Sequence, residues 1–123
     1  DNIFIFGLET PEVDALYAHG YKPWEYYNNS LKIKETLDFI RTMTVGGMNF
    51  NFIVDYLLTQ DNYMCLADFE SYITAQEKVA ETYQDKEKWG QMSLVNTANA
   101  GIFSADRSVA EYAKDIWNIK KVK

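Results

Sequence analysis

The side chains that could do chemistry in this sequence are few and widely spaced. His19 is the only histidine, and it stands next to Gly20 at a predicted helix end. A positive charge suits that end of a helix, and no hydroxyl or carboxylate at motif spacing makes His19 part of a triad. Cys65, the only cysteine, lies in an apolar run where a thiol is usually a small inert core group. We therefore interpret both residues as structural.

The acidic residues and glycines form no recognised catalytic or phosphate-binding motif. Asp68 and Glu70 are two residues apart on a predicted helix and point in different directions, so they do not make an acid–base pair. Asp68 instead fits an N-cap. Gly46 and Gly47 lack the lysine and hydroxyl residue of a phosphate loop and the spacing of a dinucleotide fingerprint, which predicts a simple turn.

The aromatic and basic side chains are the remaining candidates for a functional role. Trp24, Tyr26 and Tyr27 could offer flat faces to a sugar ring, although clustered aromatics more often fill a core or an interface. Arg107 precedes Glu111 by four residues, which fits an ordinary surface ion pair. The ten lysines lie in loops or on polar helix faces, so none is placed for Schiff-base chemistry. The residues thus predict no catalytic, cofactor-binding or metal-ligating group.

Composition indicates a globular protein and argues against nucleic acid and anionic lipid as partners. The 123 residues suffice for one domain or a piece of one, and 47% apolar with 24% charged residues is a globular composition. A net charge of −6 repels nucleic acid and anionic lipid. No apolar run approaches the roughly 20 residues of a membrane span, and the N-terminus lacks the residue order of a signal peptide. A single cysteine excludes an internal disulfide and suits a reducing compartment, so we expect a cytoplasmic location. The Asp-Asn-Ile start is consistent with a processed or excised segment.

The elements that must position these residues are mostly helices. Residues 3–6 (IFIF) are typical of a strand buried on both faces of a parallel sheet. Residues 63–67 could form a short extended segment. Predicted helix starts and stops follow N-cap residues, proline and glycine. They are Thr10-Pro11 to Gly20, Pro23 to Tyr27, Ser30 to Arg41, Asn49 to Leu57, Asp68 to Tyr83, Asp85 to Gly101, and Ser104 to Trp117.

Apolar positions in each predicted helix define an inner face. These positions are Ile33, Leu37 and Ile40; Phe52, Ile53, Tyr56 and Leu57; Leu66, Phe69, Ile73, Ala80 and Tyr83; Trp89, Met92 and Val95; and Val109, Tyr112, Ala113, Ile116 and Trp117. Lys120, Lys121 and Lys123 follow the last helix, where positive charge suits the dipole. A lone buried strand cannot satisfy its backbone polar groups, so we expect the tail of a larger α/β domain.

Two ordered blocks carry a resemblance to a known family. The first is ADFESYI (residues 67–73), followed by Gln76, Val79, Tyr83 and Trp89. The second runs from Gly101 through FSADR (103–107) to EYAKDIWN (111–118). NIFIFG (2–7), Gly20-Tyr21 and EYY (25–27) match in the same order. Together they resemble the C-terminal end of the α-glucan phosphorylases, which include the glycogen, starch and maltodextrin phosphorylases. The chain departs from that family at residues 42–48, at 60–62 and at Ala105.

The resemblance implies a C-terminal portion, residues 1–123, of a doubly wound, GT-B-like glycosyltransferase domain. The parent enzyme would release glucose 1-phosphate from α-1,4-glucans with inorganic phosphate and pyridoxal phosphate. In that family the cofactor lysine and phosphate-binding residues lie upstream of Asp1, so no cofactor is expected in this chain, which alone is predicted inactive.

The expected partners are the N-terminal domain, α-glucan and phosphate, with homo-oligomerisation of the parent. Trp117 and its neighbours are candidates for an interdomain contact. The alternative is an independent helical protein-interaction module without activity.

Overall fold

Helices make up most of the protein. The computed structural model describes residues 2–119, so the predicted lysines at 120, 121 and 123 lie outside the described residues. The helices are α1 (Thr10–His19), α2 (Pro23–Asn29), α3 (Leu31–Thr42), α4 (Asn51–Thr59), α5 (Cys65–Gln84), α6 (Lys86–Asn99) and α7 (Ala105–Glu111). A 3-10 turn over Ala100–Phe103 precedes α7, and a π-helical turn over Tyr112–Ile116 follows it. The expectation of a mostly helical chain is confirmed.

One small antiparallel hairpin separates α3 from α4. Its strands are β1 (Thr44–Val45) and β2 (Met48–Asn49), with Val45 opposite Met48. Gly46 and Gly47 connect them with φ values of 60° and 81°. Positive φ at both central residues is the requirement of a two-residue hairpin turn, and glycine meets it without steric cost. The turn predicted for the two glycines is therefore confirmed.

The strand predicted over residues 3–6 is absent from the structure. These residues adopt no regular secondary structure, and Ile5 is 79% exposed. A strand exists only when a neighbour accepts and donates its ladder hydrogen bonds, and within residues 2–119 the sheet contains β1 and β2 alone. The prediction of a short extended segment over residues 63–67 was also wrong, because α5 begins at Cys65.

The chain forms two compact units. The first is Phe4–Val79, and the second combines, among the described residues, 2–3 with 80–119. The core of the first unit contains Ile33 and Leu37 of α3, Val54 of α4 and Leu66 of α5. Burying each such side chain contributes about 1.5–3 kcal/mol. Tyr26, Tyr27, Ile40, Leu57, Leu58 and Phe69 pack against this core. The predicted inner face of α3 is confirmed.

The predicted inner face of α4 was wrong for Phe52 and Ile53 but right for Leu57, which packs against the core. Phe52 is 67% exposed and Ile53 is also exposed, whereas the neighbouring Val54 is fully buried. The helix is apolar on nearly every side, so periodicity does not select a face. Contact with the core through Leu57 and Leu58 places Val54 inward.

Three helices begin at a side-chain cap, and one ends at a glycine. Ser30, Asp85 and Ser104 each accept a hydrogen bond from a backbone N–H of the first helical turn, as predicted. Gly20, with φ 83°, ends α1 as predicted. Thr10 is not the cap of α1, because Glu9 holds that position and its backbone N donates to Glu12 Oε2 at 2.8 Å.

The second unit has little buried surface. Trp89 and Met92 of α6 are half-buried, and Trp89 meets the Tyr83 ring edge-on at a centroid distance of 5.1 Å. The predicted inward face of the last helix was wrong for this chain, because Trp117 is 58% exposed and Val109, Tyr112 and Ile116 are exposed too. Nothing in the described part of this unit covers them. Among residues 2–119, no helix combines the length and apolarity needed to cross a bilayer.

Candidate functional site

The first unit contains a cleft bordered by α2, the start of α3 and the first turns of α5. Its volume is about 320 Å³. The buried side chains of Ile33 and Leu66 form its floor, and Tyr26 lines one side. Glu25 of α2 and Glu70 of α5 bring a carboxylate each to its wall. Such a volume is at the lower end of the range for small-molecule sites, roughly 300–1,000 Å³.

Polar side chains at the α2–α3 junction are fixed by one another. Ser30 Oγ accepts from the backbone N of Ile33 at 3.3 Å and donates to Glu70 Oε1 at 2.7 Å. Lys32 Nζ lies 3.7 Å from Glu70 Oε2, and Lys22 Nζ lies 3.2 Å from Glu25 Oε1. Exposed pairs of this kind contribute about 0–1 kcal/mol, so both lysines can move aside at little cost.

Asp61 organises the start of α5, and no sequence signal we used identified it. It is 1% exposed, with φ 35°. Its carboxylate accepts from the backbone N–H groups of Cys65 and Leu66, both at 2.9 Å, and from the Tyr21 hydroxyl at 2.7 Å. Burial, and then the hydrogen bond to Asp61, raises the pKa of Tyr21. A carboxylate four residues before a helix start was the signal that could have found it.

Asp68 does not cap a helix, contrary to the prediction. It lies in the first turn of α5, and its Oδ1 accepts from the backbone N of Leu8 at 2.9 Å. Ser71 Oγ accepts from the backbone N of Gly7 at 2.8 Å. Because the apolar run before Asp68 is already helical, the carboxylate that caps α5 is that of Asp61, which accepts from the backbone N–H groups of Cys65 and Leu66. Asp68 and Ser71 therefore hold the segment that leads into α1.

Cys65 is an exposed residue at the start of α5, not the core group that was predicted. Desolvation raises the pKa of its thiol, and the negative charge and hydrogen bonding of Asp61 raise it further. A nucleophilic cysteine needs the opposite shift. The structure thus agrees with an inert thiol.

His19 ends α1 as predicted, and its Nδ1 lies 2.6 Å from the carbonyl oxygen of Ala15. Arg107 pairs with both carboxylate oxygens of Glu111 at 2.6 Å, which confirms the predicted surface pair. Its Nε also donates to the carbonyl of Ile102. Each of these groups has a local structural partner.

The aromatic cluster divides between core and surface. Tyr26 and Tyr27 pack against the core, whereas Trp24 is exposed. The Tyr21 and Tyr26 rings lie 5.5 Å apart at a tilt of 52°. Trp24, Tyr26 and Tyr27 therefore do not form one flat platform. Tyr26 and Tyr27 pack against the core, as clustered aromatic residues more often do.

The lysines among residues 2–119 lack the burial that a covalently bound pyridoxal cofactor needs. All lysines among residues 2–119 are exposed. The carboxylate of Asp38 and then the hydroxyl of Tyr27 accept hydrogen bonds from Lys34 and raise its pKa, and the same pairing lowers the pKa of Asp38. A Schiff-base lysine requires a lowered pKa. Within the described part of the chain, no group of His, Cys, Asp and Glu could hold a metal ion either.

Comparison with known proteins defines the class. A family model described as carbohydrate phosphorylase matches residues 1–119. The chain belongs to the carbohydrate phosphorylase family, which confirms the resemblance predicted from the two ordered blocks.

The similar proteins narrow the relationship to glycogen phosphorylases. The chain is 46% identical to a glycogen phosphorylase of Synechocystis sp., over 99% of the chain and 15% of that relative. It is 41% identical to one of Bacillus subtilis, over 98% of the chain and 16% of the relative. It is 36% identical to the muscle form of Homo sapiens, over 98% and 15%. The chain therefore spans about 15% of the length of the relatives that it matches.

Proposed function

We propose that this chain is the C-terminal part of an α-glucan phosphorylase. The complete polypeptide would release glucose 1-phosphate from α-1,4-glucans by phosphorolysis. The observation that carries the proposal is the 46% identity to a glycogen phosphorylase over essentially the whole chain. The chain itself would form part of the fold of that enzyme. We expect the enzyme to be cytoplasmic.

The parent domain is a doubly wound, GT-B-like α/β domain, of which residues 1–123 are one incomplete portion. The apolar residues 3–6 support this architecture, because they have the composition of a strand, Ile3, Ile5 and Phe6 are exposed, and Gly7 and then α1 follow them. Strand, tight turn and helix in that order is the unit from which such domains are built. A neighbouring strand from the rest of the polypeptide would pair with these residues.

Catalytic residues and pyridoxal phosphate belong to the rest of the enzyme. The exposed lysines and the raised pKa of Cys65 support an inactive chain. Its partners are then the N-terminal domain of the same polypeptide, with α-glucan and phosphate bound elsewhere, and a homo-oligomeric parent.

The exposed apolar residues of the second unit support a contact with the N-terminal domain. Trp117, Tyr112, Ile116 and Val109 share this exposure. In the complete polypeptide, Trp117→Ala should lower the thermal midpoint and the activity, whereas Lys114→Ala, on the polar side of the same turn, should change neither. Unchanged stability and activity in the tryptophan variant would exclude the contact.

The direct test compares two proteins for glucose 1-phosphate release from glycogen and phosphate. We expect release by the complete polypeptide reconstituted with pyridoxal phosphate and none by the 123-residue chain. Release by the short chain, or a bound pyridoxal aldimine absorbance in it, would contradict the proposal.

The same exposed apolar residues favour one alternative, an independent helical protein-interaction module. A reading frame that ends at this length and a stable complex with another protein would establish it. A reading frame of phosphorylase length would exclude it.

A further inference from the structure

The cleft of about 320 Å³ in the first unit lies apart from any role in the proposed phosphorolysis. It opens between α2 and α5, and its floor includes two buried core residues, Ile33 at 1% and Leu66 at 3% exposure. A ligand seated there would rest on an already rigid surface. Ligand sites are typically preformed concave surfaces with an apolar base and a few placed polar groups, which describes this cleft.

The polar groups on the wall select the ligand's charge and its hydrogen-bonding character. Glu25 and Glu70 are acceptor-only groups when ionised, and each carboxylate has about four lone-pair sites. Their known partners, Lys22, Lys32 and Ser30, use one contact per oxygen at most. No lysine or arginine lines the cleft. The two carboxylates therefore keep lone pairs free to accept further hydrogen bonds, which favours a ligand rich in hydroxyl donors.

The remaining lining residues match a neutral ring better than a simple amine. Asn29 supplies an amide with both a donor and acceptors, which a purely cationic ligand would not use. Tyr26 supplies an aromatic surface, and Ala67 leaves space beside it. The paired lysines also offset the charge of the two carboxylates.

We propose that this cleft binds one sugar ring or a similar small polyol, with hydroxyl groups donating to Glu25 and Glu70 and the ring face lying against Tyr26 and the apolar floor. The site lies wholly within Phe4–Val79. It does not depend on the proposed function, because binding requires no cofactor and no residue outside this unit.

The test titrates glucose into the ¹⁵N-labelled chain and follows amide shifts by nuclear magnetic resonance. We expect saturable shifts confined to residues 25–33 and 66–70, with weak affinity. Glu70→Ala and Glu25→Ala should each weaken binding about tenfold, because each removes hydrogen bonds to a charged acceptor. Glu77→Ala, an exposed position on the same helix, should leave it unchanged.

Several outcomes overturn the proposal. They are the absence of saturable shifts, equal loss in the Glu77 control, or preferential binding of butylamine or inorganic phosphate. Crystals of the complete polypeptide soaked in glucose supply a second readout that does not require the short chain to fold. Sugar density against Glu25, Asn29 and Glu70 supports the proposal, and an empty cleft at saturating glucose refutes it. Loss of phosphorolysis alone would bear on the proposed function and leave this site unaffected.

Discussion

The two units of this chain differ in how much of their apolar surface they bury. All buried side chains among residues 2–119 belong to Phe4–Val79, including Ile33, Val54 and Leu66. The described residues of the second unit include none, although Ile102, Phe103 and Trp117 are large and apolar. Exposed apolar patches of this kind mark surfaces that another element covers. The first unit therefore contains its own core, and we propose that the second buries its apolar residues against another element.

The largest predicted effect contrasts an equivalent change in each unit. Ile33→Ala should cost about 2–5 kcal/mol of unfolding free energy, because it removes contacts at the centre of the core. Ile116→Ala should change the unfolding free energy by less than about 0.5 kcal/mol, because Ile116 is exposed. Urea unfolding followed by circular dichroism measures both. Equal losses would mean that the second unit has a core of its own.

A second prediction concerns Asp61. Asp61→Ala should cost about 1–3 kcal/mol, because it leaves the buried amide of Leu66 and the Tyr21 hydroxyl without their acceptor. Asp14→Ala on the exposed surface of α1 is the matched control. A loss no larger than that of the control would show that water replaces the carboxylate.

Two glycines in different units should respond in opposite directions. Gly7 has φ 91°, and an added Cβ would lie 2.9 Å from Asp68 Oδ2, so Gly7→Ala should cost about 1–2 kcal/mol. Gly90 lies inside α6 with open space around its Cβ position, so Gly90→Ala should stabilise by about 0.5–1 kcal/mol. Thermal unfolding of the two variants checks the signs, and the same sign in both would contradict the geometry.

The smallest effect is a pH dependence. The pKa of Tyr21 is raised above its ordinary value of 10.0, so the folded state holds the proton more tightly than the unfolded state. The resulting stability is complete below pH 10 and decreases as pH rises towards the folded pKa. Tyr21→Phe should remove this alkaline slope. Urea midpoints measured between about pH 8 and 11 test it, with Tyr63→Phe, an exposed tyrosine, as the control.

Helix caps and glycine stops were predictable because one or two neighbouring residues in the sequence decide each of them. Ser30, Asp85, Ser104 and Gly20 sit at helix ends, where a single side chain or a glycine decides the geometry. The family was recognisable for a different reason, namely long ordered blocks of matching residues.

Features that depend on packing were not predictable from periodicity. The buried side of α4 is set by contact with the core, since Ile53 and Val54 are equally apolar. The role of Asp61 depends on Tyr21, forty residues away in sequence. The cleft is lined by residues of α2, α3 and α5, and no motif encodes that arrangement. Residues 3–6 have the composition of a strand, but pairing requires a neighbour.

Amide hydrogen exchange of residues 109–117, compared between the 123-residue chain and the complete polypeptide, tests the central claim most directly. We predict protection of the α3 and α5 amides around Ile33 and Leu66 in both proteins, and protection of residues 109–117 only in the complete polypeptide. Equal protection of residues 109–117 in the two proteins would contradict the claim that the second unit requires a partner.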